Sequence, residues 1–128
     1  MAKYFRAQFY FNKVKSFGDV PWYSHALGTN DEDELYKARD SRVLVMDSVL
    51  NDLNAAIKYL PEKKFRNKIS SYTALALKSR VCLFEGTWRK YHPEANLPDA
   101  NRFLTEAADA SKTLIDKGVY SLYSTGNP

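Results

Sequence analysis

The chain has 128 residues, 45% of them apolar and 14% aromatic, which suits one domain with a single core of ordinary size. Nineteen Lys and Arg against fifteen Asp and Glu give a net charge of +4, but the basic residues are spread along every segment. That spread reads as solubility rather than a nucleic-acid footprint, and the lone Cys82, set among Val81, Leu83 and Phe84, excludes a disulfide framework and is expected to be a buried thiol.

No apolar run reaches the ~20 residues needed to cross a bilayer, and no basic start followed by an apolar stretch and a cleavage site opens the chain. Met1 leads directly into a helical pattern without a capping residue, and the chain stops at Gly126-Asn127-Pro128 just after a turn. Both ends read as cut.

The first segment, Ala2 to Phe17, holds Tyr4, Phe5, Ala7, Phe9, Tyr10, Phe11 and Val14, and is too apolar around its circumference for a helix with one wet face. It expects neighbours on two sides. Gly18 favours the left-handed conformation that ends helices, and Pro21 prevents resumption, so the helix stops near Ser16. A connection of 23 residues, Gly18 to Asp40, follows; it is long for a compact domain, and such loops are usually functional or wrap a surface.

Ser41 is positioned to cap the next helix, in which Val43, Met46, Val49, Leu50, Leu53, Ala56, Ile57 and Leu60 recur at steps of three and one before Pro61 ends it. Ser70 or Ser71 caps a third helix with Ala74, Leu77, Val81, Phe84 and Trp88 on one stripe, where Ala74, Ala76, Ser79 and Gly86 allow a second helix to approach closely. His92-Pro93 to Leu97-Pro98 breaks the pattern. Asp99 then caps a fourth helix bearing Phe103, Leu104, Ala107, Ala108, Ser111, Leu114 and Ile115, closed by Gly118.

Leu50, Asp52, Ala56, Lys58 and Leu60 align with Leu104, Glu106, Ala110, Lys112 and Leu114 at one interval of 54 residues. The chain therefore reads as all-α, with about four helices in two tetratricopeptide-like hairpins, although the usual interval of such repeats is ~34 residues.

Several strings, in order, resemble the SusD/RagB family. They are Lys3-Tyr4-Phe5-Arg6-Ala7-Gln8-Phe9-Tyr10-Phe11 with the turn Phe17-Gly18-Asp19-Val20-Pro21, then Leu35-Tyr36-Lys37-Ala38-Arg39-Asp40-Ser41-Arg42. Asp52-Leu53 with Ala56-Ile57-Lys58-Tyr59-Leu60-Pro61, Ala74-Leu75-Ala76-Leu77-Lys78-Ser79-Arg80-Val81 and Gly118-Val119-Tyr120-Ser121-Leu122-Tyr123 complete the set.

The resemblance implies that residues 1–128 are one SusD-like helical domain, a fragment of a right-handed helical array, truncated at both ends, with the 18–40 loop inserted. It further implies a non-enzymatic, surface-exposed lipoprotein of the outer membrane, far longer than this chain. Such a protein captures a nutrient, most often a glycan, beside a SusC-like TonB-dependent transporter. The lipid anchor is absent from this chain, and Cys82, being mid-helix, does not replace it.

No catalytic residue and no cofactor is expected, because there is no strand-turn-helix nucleophile and no glycine-rich phosphate loop. His25 and His92 stand apart with no ligand at metal-binding spacing, and Asp31-Glu32-Asp33-Glu34 lacks the interleaving of a calcium loop. Trp22 and Tyr23, with Trp88 and Tyr91, are the candidate ligand-binding residues, since flat aromatic faces stack on sugar rings; the competing reading is core or interface mass. The alternative function is a free-standing tetratricopeptide-like module that binds a protein segment in a concave groove.

Overall fold

Two serines start helices as their chemistry demands. In the computed structural model, which describes residues 1–122 with Ser124 and Gly126, Ser41 accepts the Leu44 N–H and opens a helix over Arg42–Tyr59. Ser70 and Thr73 cap reciprocally: Ser70 Oγ accepts the Thr73 N–H while Thr73 Oγ1 accepts the Ser70 N–H, opening the helix Ser71–Tyr91. Tyr123, Asn127 and Pro128, which close the last family-like string and the chain, lie outside the described residues.

The long helices are α1 (Ala2–Phe17), α3 (Arg42–Tyr59), α4 (Ser71–Tyr91) and α5 (Ala100–Asp116). A single-turn α2 (Glu32–Leu35) sits in the long connection, where three carboxylates in its first turn favour the positive end of the helix dipole. Gly18, at φ 71°, ends α1 with its N–H on the Val14 carbonyl. Asp99 departs from expectation. It precedes α5 but accepts no capping hydrogen bond, because it is itself in the left-handed conformation at φ 63°; its carboxylate lies 3.9 Å from Arg102 instead.

Helix α1 packs on α3, α4 packs on α5, and α3 against α4 joins the two hairpins. The core between them holds Val14, Val45, Met46, Val49, Leu53, Val81, Cys82 and Phe103, each no more than 1% exposed. The echo at 54 residues reappears in burial: Val49 and Phe103, Leu53 and Ala107, and Ala56 and Ala110 are all buried. It reappears in charge as well, since Asp52 of α3 takes Arg6 of α1 and Glu106 of α5 takes Lys78 of α4.

Helix α4 is enclosed on two sides, so its second face is buried too. Gly86 lies against α5 so closely that an added Cβ would stand 2.8 Å from the Leu104 side chain and 3.0 Å from its backbone nitrogen. About two helical turns away, Ser79 and Ser111 share a hydroxyl hydrogen bond. Burial pushes the Cys82 thiol up to about 12, so it stays protonated and unreactive near neutral pH.

On the same face Glu85, fully buried, accepts from Arg42 at 2.7 Å and from Arg89 at 2.8 Å. Arg89 also donates to the Pro98 carbonyl, and the Arg42 backbone N–H donates to Asp19, so the cluster ties α3, α4, the turn before α5 and the start of the long connection.

Replacing Glu85 by Gln leaves two arginines buried without a counter-charge. The expected cost is about 3–5 kcal/mol in urea unfolding followed by helical circular dichroism, and a wild-type midpoint would refute this role. Gly86→Ala normally raises helix stability by ~1 kcal/mol. Here it is expected to lower stability by about 1–3 kcal/mol, with partial recovery when Leu104→Ala is added; a net gain from the single substitution would contradict the close approach.

Candidate functional site

The long connection is closed at its base by an antiparallel bridge between Val20 and Asp40. Asp40 then turns its carboxylate inward, accepting the Trp22 N–H at 2.7 Å and lying 3.0 Å from the Lys37 ammonium. Those two contacts hold the Asp40 carboxyl below its usual range, the backbone N–H contributing most. Lys37 completes the clasp by donating to the Trp22 carbonyl.

Tyr23 is fixed at both ends, its N–H on the Tyr10 hydroxyl at 2.9 Å and its own hydroxyl on the Glu34 carbonyl at 2.7 Å. Trp22 packs 4.3 Å from the Tyr10 ring with the Arg6 guanidinium 4.9 Å from its centroid. Arg6 is itself committed. It grips Asp52 through two nitrogens at 2.6 and 2.8 Å and donates to the Ser24 carbonyl, and the Asp52 hydrogen bonds raise its pKa further. Trp22 is thus half-buried against the core, while Tyr23 borders open space.

Two hollows flank Tyr23. One, of about 500 Å³, has Lys3, Arg6, Ser24 and His25 on its walls beside Ala2 and Ala26. The other, of about 400 Å³, is aromatic, with Phe9, Tyr10 and Phe17 as floor and Lys13 and Arg39 at the rim. The arrangement offers an apolar face beside cationic and hydrogen-bonding groups, which suits a polar ligand with a flat apolar side.

The second aromatic pair is used differently. The Trp88 ring lies 3.9 Å from the Arg42 guanidinium and parallel to His92 at 4.4 Å, so it serves the buried ion cluster. Tyr91 is 69% exposed on the last turn of α4. Neither Trp88 nor Tyr91 lines the hollows beside Tyr23, so the two pairs do not share a site.

His92 places Nδ1 2.9 Å from the Trp88 carbonyl, and His25 is exposed next to Ser24. Among the described residues no group of three or more His, Cys, Asp or Glu could hold a metal ion. The acidic run forms α2, with Asp31 accepting the Gly28 N–H. Among the described residues no helix is long and apolar enough to cross a membrane.

Sequence reasoning missed the clasp at Asp40 and the aromatic hollow. Its one available signal was spacing: Phe5, Phe9, Lys13 and Phe17 recur every fourth residue, which places them on one side of α1, opposite the core residues Ala7, Phe11 and Val14.

No family model matches the chain. It is 31% identical over 96 residues to SusD-like protein P2 of Formosa agariphila, a match spanning 73% of this chain and 19% of that protein. The crystal structure of a SusD-like protein from Bacteroides fragilis aligns with it at a TM-score of 0.71 and 26% identity, covering 94% of this chain and 20% of that one. The chain spans about a fifth of the length of both relatives. Sequence and fold agree that this two-hairpin chain belongs to the SusD-like family.

Proposed function

We propose that the chain is the helical scaffold of a non-enzymatic nutrient-capture protein on the outer membrane, with a glycan as cargo and a SusC-like TonB-dependent transporter as partner. The observation that carries this reading is the likeness to SusD-like proteins in sequence and fold along most of the chain. In it, residues 1–128 form one SusD-like helical domain of a longer protein. The paired hairpins hold the Gly18–Asp40 connection in a fixed shape, and that connection presents Tyr23 to the cargo.

Of the aromatic candidates, Tyr23 is the one with room for a ligand beside it. Trp22 braces it from the core side. Trp88 is occupied by Arg42, and Tyr91 contributes exposed surface away from both hollows.

The full-length protein that carries this segment is expected to co-purify with a TonB-dependent transporter and to bind oligosaccharides by titration calorimetry. Finding neither association nor affinity for any oligosaccharide would overturn the capture reading. Within that protein, Tyr23→Ala is expected to weaken oligosaccharide binding by about tenfold while Trp88→Phe leaves it unchanged. Equal affinity of the Tyr23→Ala variant and the parent would remove Tyr23 from the site.

A further inference from the structure

The chain's positive charge is not evenly shared among its helices. Helix α1 carries Lys3, Arg6, Lys13 and Lys15 with no acidic residue, and α4 carries Lys78, Arg80, Arg89 and Lys90 against the single, buried Glu85. Helix α3 is balanced, with Arg42 and Lys58 against Asp47 and Asp52, and α5 is acidic by one. The first helix of each hairpin is therefore the basic one.

Those two basic helices lie side by side. Because α1 and α4 each run antiparallel to α3, they run parallel to each other, Tyr4 and Thr73 marking one end of the furrow between them and Lys15 and Phe84 the other. Two hollows of about 330 Å³ and 280 Å³ occupy this furrow and share Gln8, Leu77 and Arg80, so they form one continuous groove. No acidic side chain lines either hollow.

The nearby carboxylates are engaged elsewhere: Asp52 with Arg6 and Lys3, Glu85 with Arg42 and Arg89, and Glu106 with Lys78. Lys15 and Arg80 have no carboxylate partner among the described residues. Lys15 instead rests over the floor of the groove, 5.2 Å from the Phe11 ring and 5.9 Å from Phe84, the two rings meeting edge to face.

We infer that the groove between α1 and α4 binds an extended acidic peptide segment of a partner protein. Lys15 and Arg80 take its carboxylates, Gln8 and Asn12 take its backbone amides, and the Phe11–Phe84 floor takes its apolar side chains.

Spacing favours a peptide over other acidic ligands. Gln8 and Asn12 are one turn apart on an exposed face of α1, a rise of about 6 Å, which is close to the ~6.6 Å repeat of alternate residues in an extended chain. From Tyr4 to Lys15 the groove runs about 16 Å, room for about five extended residues. In such a segment alternate side chains point the same way, so acidic residues face the cations while apolar ones face the aromatic floor. This inference does not depend on the capture function.

The test is fluorescence anisotropy of the 128-residue chain at low ionic strength, with a labelled ten-residue peptide alternating Glu and Leu and a second peptide carrying Gln for every Glu. The Glu peptide is expected to bind at least about tenfold more tightly than the Gln peptide. The double variant Lys15→Gln with Arg80→Gln is expected to lose about tenfold in affinity while keeping its circular dichroism, since both side chains are exposed. Lys90→Gln, on α4 outside the groove, should bind as the parent does. Equal binding of the two peptides, an equal loss in Lys90→Gln, or no binding of either peptide overturns the inference. So does tighter binding of oligogalacturonate than of the Glu peptide with the same dependence on Lys15 and Arg80, which would make the ligand an acidic saccharide.

Discussion

Glu85 is the point on which this fold turns. A carboxylate with no exposed surface is prohibitively costly to bury alone, and the chain solves this by bringing Arg42 from α3 and Arg89 from its own helix to within hydrogen-bond reach. Two guanidiniums on one carboxylate leave a surplus positive charge, which is spread over aromatic faces: Arg42 over Trp88 and Arg89 over Phe103 at 4.4 Å. The geometry is demanding, because the ion cluster forms only when α3 and α4 meet in one register. The Arg42 backbone N–H also donates to Asp19 and the Arg89 guanidinium to the Pro98 carbonyl, so the two connections flanking the helices are set by the register as well. Buried ion pairs of this kind contribute little net stability compared with apolar residues, and their use here is to select one arrangement of the hairpins among several that a hydrophobic stripe alone would allow.

With the register fixed, the second constraint is distance. Gly86 and the Ser79–Ser111 pair let α4 and α5 approach more closely than bulky residues allow, while the facing hairpin uses Ala7 and Ala56 on α1 and α3. Each hairpin also centres its cross-helix ion pairing on one carboxylate, Asp52 with Arg6 and Lys3, and Glu106 with Lys78. Repetition of these features argues that both hairpins solve the same packing problem, and that the long connection in the first hairpin is an insertion into a unit whose helices keep their relation. That is why the connection can be closed by a single bridge and a carboxylate clasp without disturbing α1 or α3.

Much of this was legible in the sequence because it depends on local chemistry. Ser41, Ser70 and Gly18 act where capping preferences place them, and Cys82 is buried as its apolar neighbours imply. The α3 stripe from Met46 to Ala56 is core, although Val45, off that stripe, is fully buried too because α3 is packed from two directions. Asp99 was misread for a physical reason: a carboxylate can cap only when its own backbone is extended, and a left-handed φ turns the side chain away.

Glu85 and Arg89 look like surface charges four residues apart on a helix, and nothing in their spacing reveals that a third charge, 43 residues before Glu85, draws them inside. The same blindness left Trp88 open between ligand platform and core or interface mass. Its actual neighbour, Arg42, is distant in sequence. The even scatter of basic residues along the chain also concealed their distribution among helices, which depends on knowing that α1 and α4 stand together.

Helix α1 shows most directly how a segment can be under-determined by its own sequence. Its aromatic content predicts neighbours on two sides, and one side is met: Tyr4, Ala7, Tyr10, Phe11 and Val14 are buried. The other side carries Phe5, Phe9 and Phe17, each more than half exposed, with Lys13 lying 5.3 Å from the Phe9 ring and 5.5 Å from the Phe17 ring. Exposed aromatic surface of this kind is costly in water, and a cation resting over it lowers that cost only in part. Such a face marks an interaction surface, and its Phe9–Phe17 stretch borders the hollow beside Tyr23. The groove toward α4 differs in kind, because its rim is charged and its amides are exposed, so it can stay solvated while empty and still reward an acidic chain that enters it. Apolar exposure and polar readiness thus fall on different faces of one helix, and each face favours a different chemistry in what it meets.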